Sequence, residues 1–299
     1  MTEMATTGMG AGPAGLVRRP EIVREVGEAD KVEAASTLSW PERLYEVGLV
    51  RKAAVLLGIA ILWQAYGTWL DNPLLFPSFR DTVEAFWAGM TSGVIPARAS
   101  VSIQTLLMGY GLGIVGAALL TTVAIGSRIG TDLLETLTSM FNPLPAIALL
   151  PLALIWFGLG TASVVFVIVH SVLWAIALNT HAGFRSVSAT QRMVGLNYGL
   201  RGLRLVRLIL IPAAFPSILT GLKVGWAFAW RTLIAAELVF GVSSGSGGLG
   251  WYIFENRNLL ETANVFAGLF SVILIGLFVE NVIFANVERR TIRRWGMQH

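Results

Sequence analysis

The chain has 299 residues, of which 55% are hydrophobic and 13% are charged. This composition excludes an ordinary soluble domain and is typical of a protein with several membrane-spanning helices. The 22 basic residues outnumber the 18 acidic ones by a net charge of +4, and they lie beside apolar stretches, which favours membrane orientation over nucleic-acid binding. The chain has no cysteine and three scattered histidines, so disulfides are excluded and a metal site is not expected.

The amino-terminal part differs from the rest of the chain. Residues 1–38 lack a sustained apolar stripe and predict a flexible cytoplasmic tail without a cleaved signal. Residues 39–52 mix apolar and charged side chains, as in an amphipathic helix at a membrane surface. Residues 53–99 contain the first span and an outer loop, and residues 286–299 form a basic tail.

A helix needs about 20 mainly apolar residues to cross the hydrocarbon core of a bilayer. Six stretches qualify: 53–70, 101–125, 133–157, 163–179, 213–240 and 263–285. The 181–210 loop contains five arginines and the 286–299 tail contains four. Because basic residues favour cytoplasmic loops, we expect both termini in the cytoplasm. The sequence therefore predicts an all-α membrane protein with six transmembrane helices.

Three prolines interrupt the third stretch: Pro143, Pro145 and Pro151. Each proline lacks a backbone donor and disfavours helical geometry in the residue before it. Irregular backbone at membrane depth is tolerated where protein buries it or where it lines a cavity. We therefore expect Pro145 and Pro151 to face a translocation pathway or a packed interior.

The polar segment 185–216 lies between two apolar stretches and contains five arginines but no acidic residue. Gly199 separates two short helical stretches and precedes Pro212 by thirteen residues. This arrangement resembles the coupling segment of ABC-importer permeases, in which a short helix, a glycine and a second helix precede a proline at fixed spacing. The chain departs from that family at residues 193–195, which read Met-Val-Gly where Glu-Ala-Ala is usual.

Further matches follow in the same order along the chain. Residues 143–160, which end in Trp-Phe-Gly-Leu-Gly, and residues 219–237 resemble the nitrate, sulfonate, taurine and bicarbonate type of these permeases. The resemblance covers residues 100–285 and implies an ABC-importer permease core with a cytoplasmic coupling helix between spans four and five. It also implies ATPase contacts at the coupling positions Arg192, Met193, Gly199, Arg201, Arg204, Arg207 and Pro212.

The resemblance implies partners as well as a fold. They are a second copy of the chain, two ATP-binding subunits and a substrate-binding protein, assembled in the lipid of a bacterial inner membrane. No Gly-x4-Gly-Lys-Ser/Thr motif occurs, so the chain is not expected to be an enzyme or to bind a cofactor, and the partner ATPase would hold ATP and Mg. Residues 245–250 match a dinucleotide motif in form, but no βαβ unit surrounds them, so a turn into a short helix is expected there.

Charged groups inside spans are costly and need a partner or water. Arg231 lies deep in the fifth stretch beside Trp230, and Glu237 follows six residues later, about 120° round the helix axis, which disfavours a pair within the helix. A guanidinium facing a pathway would hold a carboxylate, sulfonate or nitrate by its planar fork. The alternative is a packing contact to carbonyls of another span or to Glu237 of another helix. Glu237 fits the family and suggests an outer gate or packing between spans, whereas His170 and Gln104 would line the route or bond another helix.

These observations predict the transmembrane subunit of an ATP-driven importer of a small anion, such as a sulfonate, taurine, nitrate, bicarbonate or an organic carboxylate. The alternative is a secondary transporter or channel driven by an ion gradient, which would keep the six spans but need no ATPase. Glu237 is the one deep carboxylate that a proton relay could use there. An intramembrane enzyme would require clustered catalytic groups, which the sequence does not show.

Overall fold

The structure is a computed structural model, and it describes residues 48–240 and 247–293. All regular elements in these residues are helices. Those of eight residues or more are α1 (Gly48–Leu70), α2 (Phe79–Thr91), α3 (Val94–Gly126), α4 (Arg128–Phe141), α5 (Leu150–Phe157), α6 (Thr161–Ser186), α7 (Ala189–Asn197), α8 (Ile211–Phe240), α9 (Leu249–Asn258) and α10 (Thr262–Phe278).

Short helical segments extend several of these helices. A 3₁₀ turn, Ala146–Leu149, leads into α5, and the helical turn Leu203–Leu205 with the π-helical turn Val206–Leu210 leads into α8. After α10 the chain continues through the π-helical turn Val279–Phe284 and further helical turns to Arg293.

The chain divides into two compact units, residues 1–56 and residues 57–299. In the first unit the structure describes only the start of α1. The predicted tail, 1–38, and most of the predicted amphipathic helix, 39–52, therefore lie outside the described residues, and Gly48–Lys52 already belong to α1. The last six residues of the basic tail, 294–299, also lie outside them.

Five described helices are long and apolar enough to cross a membrane: Val50–Leu70, Val94–Gly126, Thr161–Ser186, Val206–Val239 and Thr262–Ile292. A sixth span results if Arg128–Phe141 and Ala146–Phe157 count as one, although these two pieces meet at 86°.

The bend confirms that the predicted third span is irregular, and the prolines explain its position. Residues 142–145 leave the helix, whereas Pro151 lies in the first turn of α5, where its missing N–H has no intrahelical partner to lose.

Helix α6 packs extensively against α3 and α8. On α3, a Cβ built at Gly109 would lie 2.6 Å from Ile168 of α6, and one built at Gly113 would lie 2.7 Å from Val172. Gly225 of α8 makes a similar close approach to α6. Small residues at this spacing let helix backbones come together in lipid, where packing drives association. The three helices α3, α6 and α8 therefore form the core that positions the sites below.

The predicted outer loop contains a helix that the sequence did not indicate. Helix α2 begins after Ser78, which forms a reciprocal capping box with Asp81. Trp63 of α1 donates its indole N–H to the carbonyl of Pro77 at 3.0 Å. The loop between α1 and α2 is therefore bonded to the first span.

Candidate translocation and coupling sites

Three predicted pathway residues, Arg231, His170 and Pro145, line one pocket of about 280 Å³. Helices α6 and α8 form two of its sides, and the break between α4 and α5 forms the third. We call this cavity the Arg231 pocket, and its lining is Asn142, Leu144, Pro145, Ala146, His170, Ser171, Trp174, Phe228, Arg231 and Thr232. The break at the prolines places residues 142–146 against this side of α6 and α8, where a straight continuation of α4 would not put them.

Arg231 is exposed on α8. Its Nε donates to the carbonyl of Ala227 at 3.1 Å, and its guanidinium carbon lies 5.2 Å from the centroid of the Phe228 ring. Within residues 48–240 and 247–293, no carboxylate forms an ion pair with it. The carbonyl contact is thus made within its own helix, and the two terminal nitrogens stay available to a ligand.

His170 and Trp174 present polar atoms that have no hydrogen-bond partner in the described part of the chain. These atoms are Nδ1 and Nε2 of His170 and Nε1 of Trp174, all of them buried. Phe141 stacks on Trp174 with ring centroids 5.5 Å apart and an interplanar angle of 10°, and His170 meets Trp174 edge to face at 6.0 Å. Because an unpaired buried polar group is unfavourable, these atoms call for a ligand, water or another chain.

Three predicted pathway residues lie away from this pocket. Trp230 is buried in the core, with its indole nitrogen 3.7 Å from the Cβ position of Gly276 on α10. Gln104 is exposed on α3, and Pro151 is exposed in the first turn of α5. The structure therefore brings three predicted pathway residues together in the Arg231 pocket. It places the other three, Trp230, Gln104 and Pro151, outside that pocket.

A second cavity adjoins Arg231 on the side of α10. It has a volume of about 230 Å³, and Lys223, Trp230 and Glu280 are among its lining residues. Lys223 forms an ion pair with Glu288. Arg231 is thus the residue that the two cavities share.

Glu237, the remaining predicted pathway residue, is 3% exposed and links three helices. Ser102 of α3 donates its hydroxyl to the Glu237 carboxylate at 2.9 Å, and the backbone N–H of Gly250 donates to Oε2 at 2.8 Å. The N–H of Leu249 donates to Ser102 Oγ at 2.8 Å. Since the first N–H groups of a helix lack intrahelical partners, Glu237 and Ser102 together cap α9. We call this arrangement the Glu237 latch.

Helix α7 contains the first of the predicted coupling positions. Ser188 caps its start by accepting a hydrogen bond from the N–H of Gln191 at 3.2 Å. At its end Gly199 has a φ of 75°, and the N–H of Leu200 donates to the carbonyl of Gly195 at 3.0 Å. This is the Schellman arrangement, in which glycine is favoured because the left-handed region strains residues with a Cβ. The glycine of the predicted coupling segment thus closes the end of α7.

The coupling segment presents apolar and basic side chains outward. Among the apolar ones, Met193 is 55% and Tyr198 is 82% exposed. Gly195 is buried instead, because α7 packs there against Leu205 and Ile209 of the following turns. Among the predicted coupling residues, those exposed are Arg192, Met193, Gly199, Arg201, Arg204 and Arg207, while Pro212 is half-buried at the start of α8.

Sequence reasoning missed several residues that the structure places at these sites: Asn142, Ser171, Trp174, Phe228, Thr232 and Ser102. Trp174 follows His170 by one helical turn, so their shared face was available from spacing alone. Ser102 gave no such signal, because its partner Glu237 lies 135 positions away in the chain.

Membrane spans around a glycine-packed core, together with an exposed short helix between two of those spans, define a membrane transport component. Residues 109–293 match the family described as "Binding-protein-dependent transport system inner membrane component". The chain belongs to this family, so it is a multi-pass inner membrane protein and a permease component of an ABC importer. ATP hydrolysis in such systems is performed by a separate subunit, and the family implies ATP-binding subunits and a substrate-binding protein as partners.

Three relatives illustrate the similarity. SsuC of Escherichia coli (strain K12), named for transport of aliphatic sulfonates, is 30% identical over 241 residues, which are 80% of this chain and 89% of SsuC. The taurine transport system permease protein TauC of the same strain is 26% identical over 84% of this chain and 91% of TauC. The nitrate import permease protein NrtB of Synechocystis sp. (strain PCC 6803) is 26% identical over 80% of this chain and 88% of NrtB.

Proposed function

We propose that this permease moves a small anion across the inner membrane in an importer driven by ATP. The observation that carries the ATP-driven part is α7, which ends at Gly199 and exposes a basic and apolar surface as a docking helix requires. The relatives SsuC, TauC and NrtB are named for substrates that each carry an anionic group. Arg231 supports the anionic class, because a guanidinium binds planar oxyanions through two donors at once.

The proposed assembly has two copies of the chain enclosing one pathway, with an ATP-binding subunit beneath each copy. α7 faces the cytoplasm, where the five arginines of the 181–210 loop favour its placement, and both termini lie on that side. The substrate-binding protein docks on the other side. ATP and Mg are held by the partner ATPase, and this chain contributes no cofactor site.

Transport in this assembly follows from rigid-body movement. Closure of the ATP-binding subunits shifts α7, and α7 moves the turns 203–210 that it packs against. Those turns continue into α8, so the spans rock and switch access from one side of the membrane to the other.

The docking contact differs from that of relatives with the usual glutamate. Met193 and Val194 are exposed where a polar contact is expected, so the ATPase contact in this chain is mainly apolar and is supplemented by basic groups. Charge reversal of the exposed Arg201, Arg204 and Arg207 should therefore weaken co-purification of the ATP-binding subunits. Reversal of the exposed Arg257 on α9 is the control and should not, and normal recovery of the triple variant would contradict the docking assignment.

Uptake into vesicles tests the proposal directly. Vesicles contain the purified permease with its ATPase and binding protein, and a panel of small labelled anions is offered without an ion gradient. Uptake should require both internal ATP and the binding protein. Uptake without ATP but with an imposed gradient would instead identify a secondary transporter.

A further inference from the structure

The Arg231 pocket is lined by side chains of two helices that carry hydrogen-bond donors. The terminal nitrogens of Arg231 carry donors. The ring nitrogens of His170 and Trp174 are buried behind the lining without a described partner, so a small side-chain movement would bring their N–H groups to a ligand. Ser171 and Thr232 add hydroxyl groups at the same cavity. Oxyanions such as carboxylates and sulfonates accept hydrogen bonds only, so this set of groups matches an oxyanion.

The remaining walls of the pocket are flat and apolar. Trp174 and Phe228 contribute rings, and Leu144, Pro145 and Ala146 close the side at the chain break. The Trp174 ring is held in place by its stack on Phe141. Rigid aromatic walls favour a planar apolar group stacked or set edge-on against them.

The size of the cavity distinguishes organic from inorganic anions. A volume of about 280 Å³ lies at the lower end of the range for ligand pockets, which is roughly 300–1,000 Å³. Nitrate or bicarbonate would leave most of this space empty and the apolar walls without contact. An anion with a single ring uses both the donors and the walls.

We propose that the Arg231 pocket is a substrate-reading site within the permease itself and that it binds a small aromatic sulfonate or carboxylate. The Arg231 guanidinium binds the oxyanion through two hydrogen bonds, and Trp174 Nε1 and His170 donate to the same group. The ring of the ligand lies against Trp174 and Phe228. The inference rests on the proposed function, since a permeating anion must reach the pocket. It adds a selection step that follows release from the binding protein.

Another described residue competes for the guanidinium. Glu280 lines the second cavity that Arg231 also borders, so a rotated Arg231 could pair with it. In that case Arg231 would serve packing, and ligand affinity would not depend on it. Combining Glu280→Gln with Arg231→Gln separates the two roles: if Arg231 binds the anion, Arg231→Gln weakens binding in the Glu280→Gln background as well, and if Arg231 only packs against Glu280, it does not.

The test measures binding to the permease–ATPase complex in lipid nanodiscs, with no binding protein and no ATP, by equilibrium dialysis of labelled anions. Wild type should bind benzenesulfonate or benzoate about tenfold or more tighter than methanesulfonate, because the ring adds buried apolar area. Arg231→Gln should weaken binding about 10- to 100-fold, the range for a hydrogen bond to a charged group. Trp174→Phe keeps the ring but removes the donor and should weaken binding about 2- to 10-fold.

Arg257 provides a matched control. It is also exposed, and its guanidinium carbon lies 5.6 Å from the Phe254 centroid, three residues earlier in the chain, as Arg231 lies over Phe228. Arg257→Gln should leave both binding and basal ATP hydrolysis unchanged. Absence of saturable binding to wild type, or equal binding by Arg231→Gln, would overturn the proposal, including the case in which a second copy of the chain fills the pocket.

The outcomes also separate this inference from the proposed function. ATP-dependent uptake with no binding to the isolated complex would contradict the pocket assignment but would still support the proposed importer function. Uptake that does not depend on ATP would contradict the proposed importer function, whatever the result of the dialysis.

Discussion

Glu237 shows how a carboxyl group in a membrane protein can serve structure. Its two oxygens accept from a hydroxyl of α3 and from a backbone N–H of α9. Ser102, which provides that hydroxyl, also accepts a hydrogen bond from a second N–H of α9. Because each group depends on the other, loss of one leaves buried donors unsatisfied around the second.

A double-mutant cycle tests this dependence. Ser102→Ala and Glu237→Ala should each lower the thermal midpoint of the purified protein, with a destabilisation of about 1–3 kcal/mol for the unsatisfied groups. The double variant should lose less than the sum by about 0.5 kcal/mol or more, because the residues share one network. Thr122→Ala, at an exposed hydroxyl on the same helix, is the control and should change little. Strictly additive losses would show that the two side chains act independently.

Sequence reasoning identified the charged residues of the site but only part of their neighbourhoods. Arg231 and Glu237 stand out because charges inside spans are rare. Their contacts depend on which helices pack together, and Ser102, Trp174 and Asn142 come from three other segments. A single sequence without homologues contains little information on such distant pairing.

At the scale of single elements, α7 depends on how its end is closed. Gly199 has a positive φ and no atom within 4 Å of the position its Cβ would take. The backbone conformation alone therefore requires glycine there. No packing contact requires glycine at this position, so an effect of substitution there reports on the backbone and not on side-chain crowding.

Gly199→Ala should weaken the coupling helix by about 1–2 kcal/mol through left-handed strain. The measured effect would be lower transport and looser ATPase attachment at unchanged expression. Gly111→Ala is a suitable control, because Gly111 also has open space around its Cβ position but lies within α3. There alanine should be neutral or stabilising by up to about 1 kcal/mol. Equal behaviour of the two variants would exclude the cap as the reason for Gly199.

The sequence predicted the position of the broken span but not its angle. Three prolines mark where the hydrogen-bond ladder fails. The 86° turn between the two pieces is set by packing against α6, which contacts both the 3₁₀ turn and α5. Helix α2 was not predicted, because its 13 residues are too few for a membrane span.

At the scale of the whole molecule, the orientation of the protein in the membrane can be tested without first removing native cysteines. The natural chain contains no cysteine. Single cysteines therefore report sidedness in the otherwise unmodified protein. Suitable positions are the strongly exposed Tyr198, after α7, and Leu259, after α9.

In sealed right-side-out vesicles, an impermeant maleimide should label Leu259→Cys and not Tyr198→Cys. Inverted vesicles should give the reverse result, because the arginines around α7 favour the cytoplasmic side. The wild-type chain, which has no thiol, serves as the blank. Labelling of Tyr198→Cys from outside would reverse the proposed topology and remove α7 from contact with the ATPase.

Span count and helical class were accessible from hydropathy because lipid leaves few alternatives to a long apolar helix. The core was less accessible, since glycines such as Gly109 and Gly113 acquire meaning only once α6 lies against α3. The hydropathy pattern therefore predicts which segments enter the membrane, whereas the faces through which these helices contact each other depend on their packing.

Helix α8 has 30 residues, which corresponds to about 45 Å of continuous helix. It begins at the turns against which α7 packs, carries Arg231 along its length and reaches the Glu237 latch near its other end. Two features interrupt the regular α-helical bonding near its start: the π-helical turn Val206–Leu210 that precedes it and Pro216 inside it. Under the proposed coupling, a displacement of α7 by the ATP-binding subunits is carried along α8 toward both the Arg231 pocket and the α9 cap.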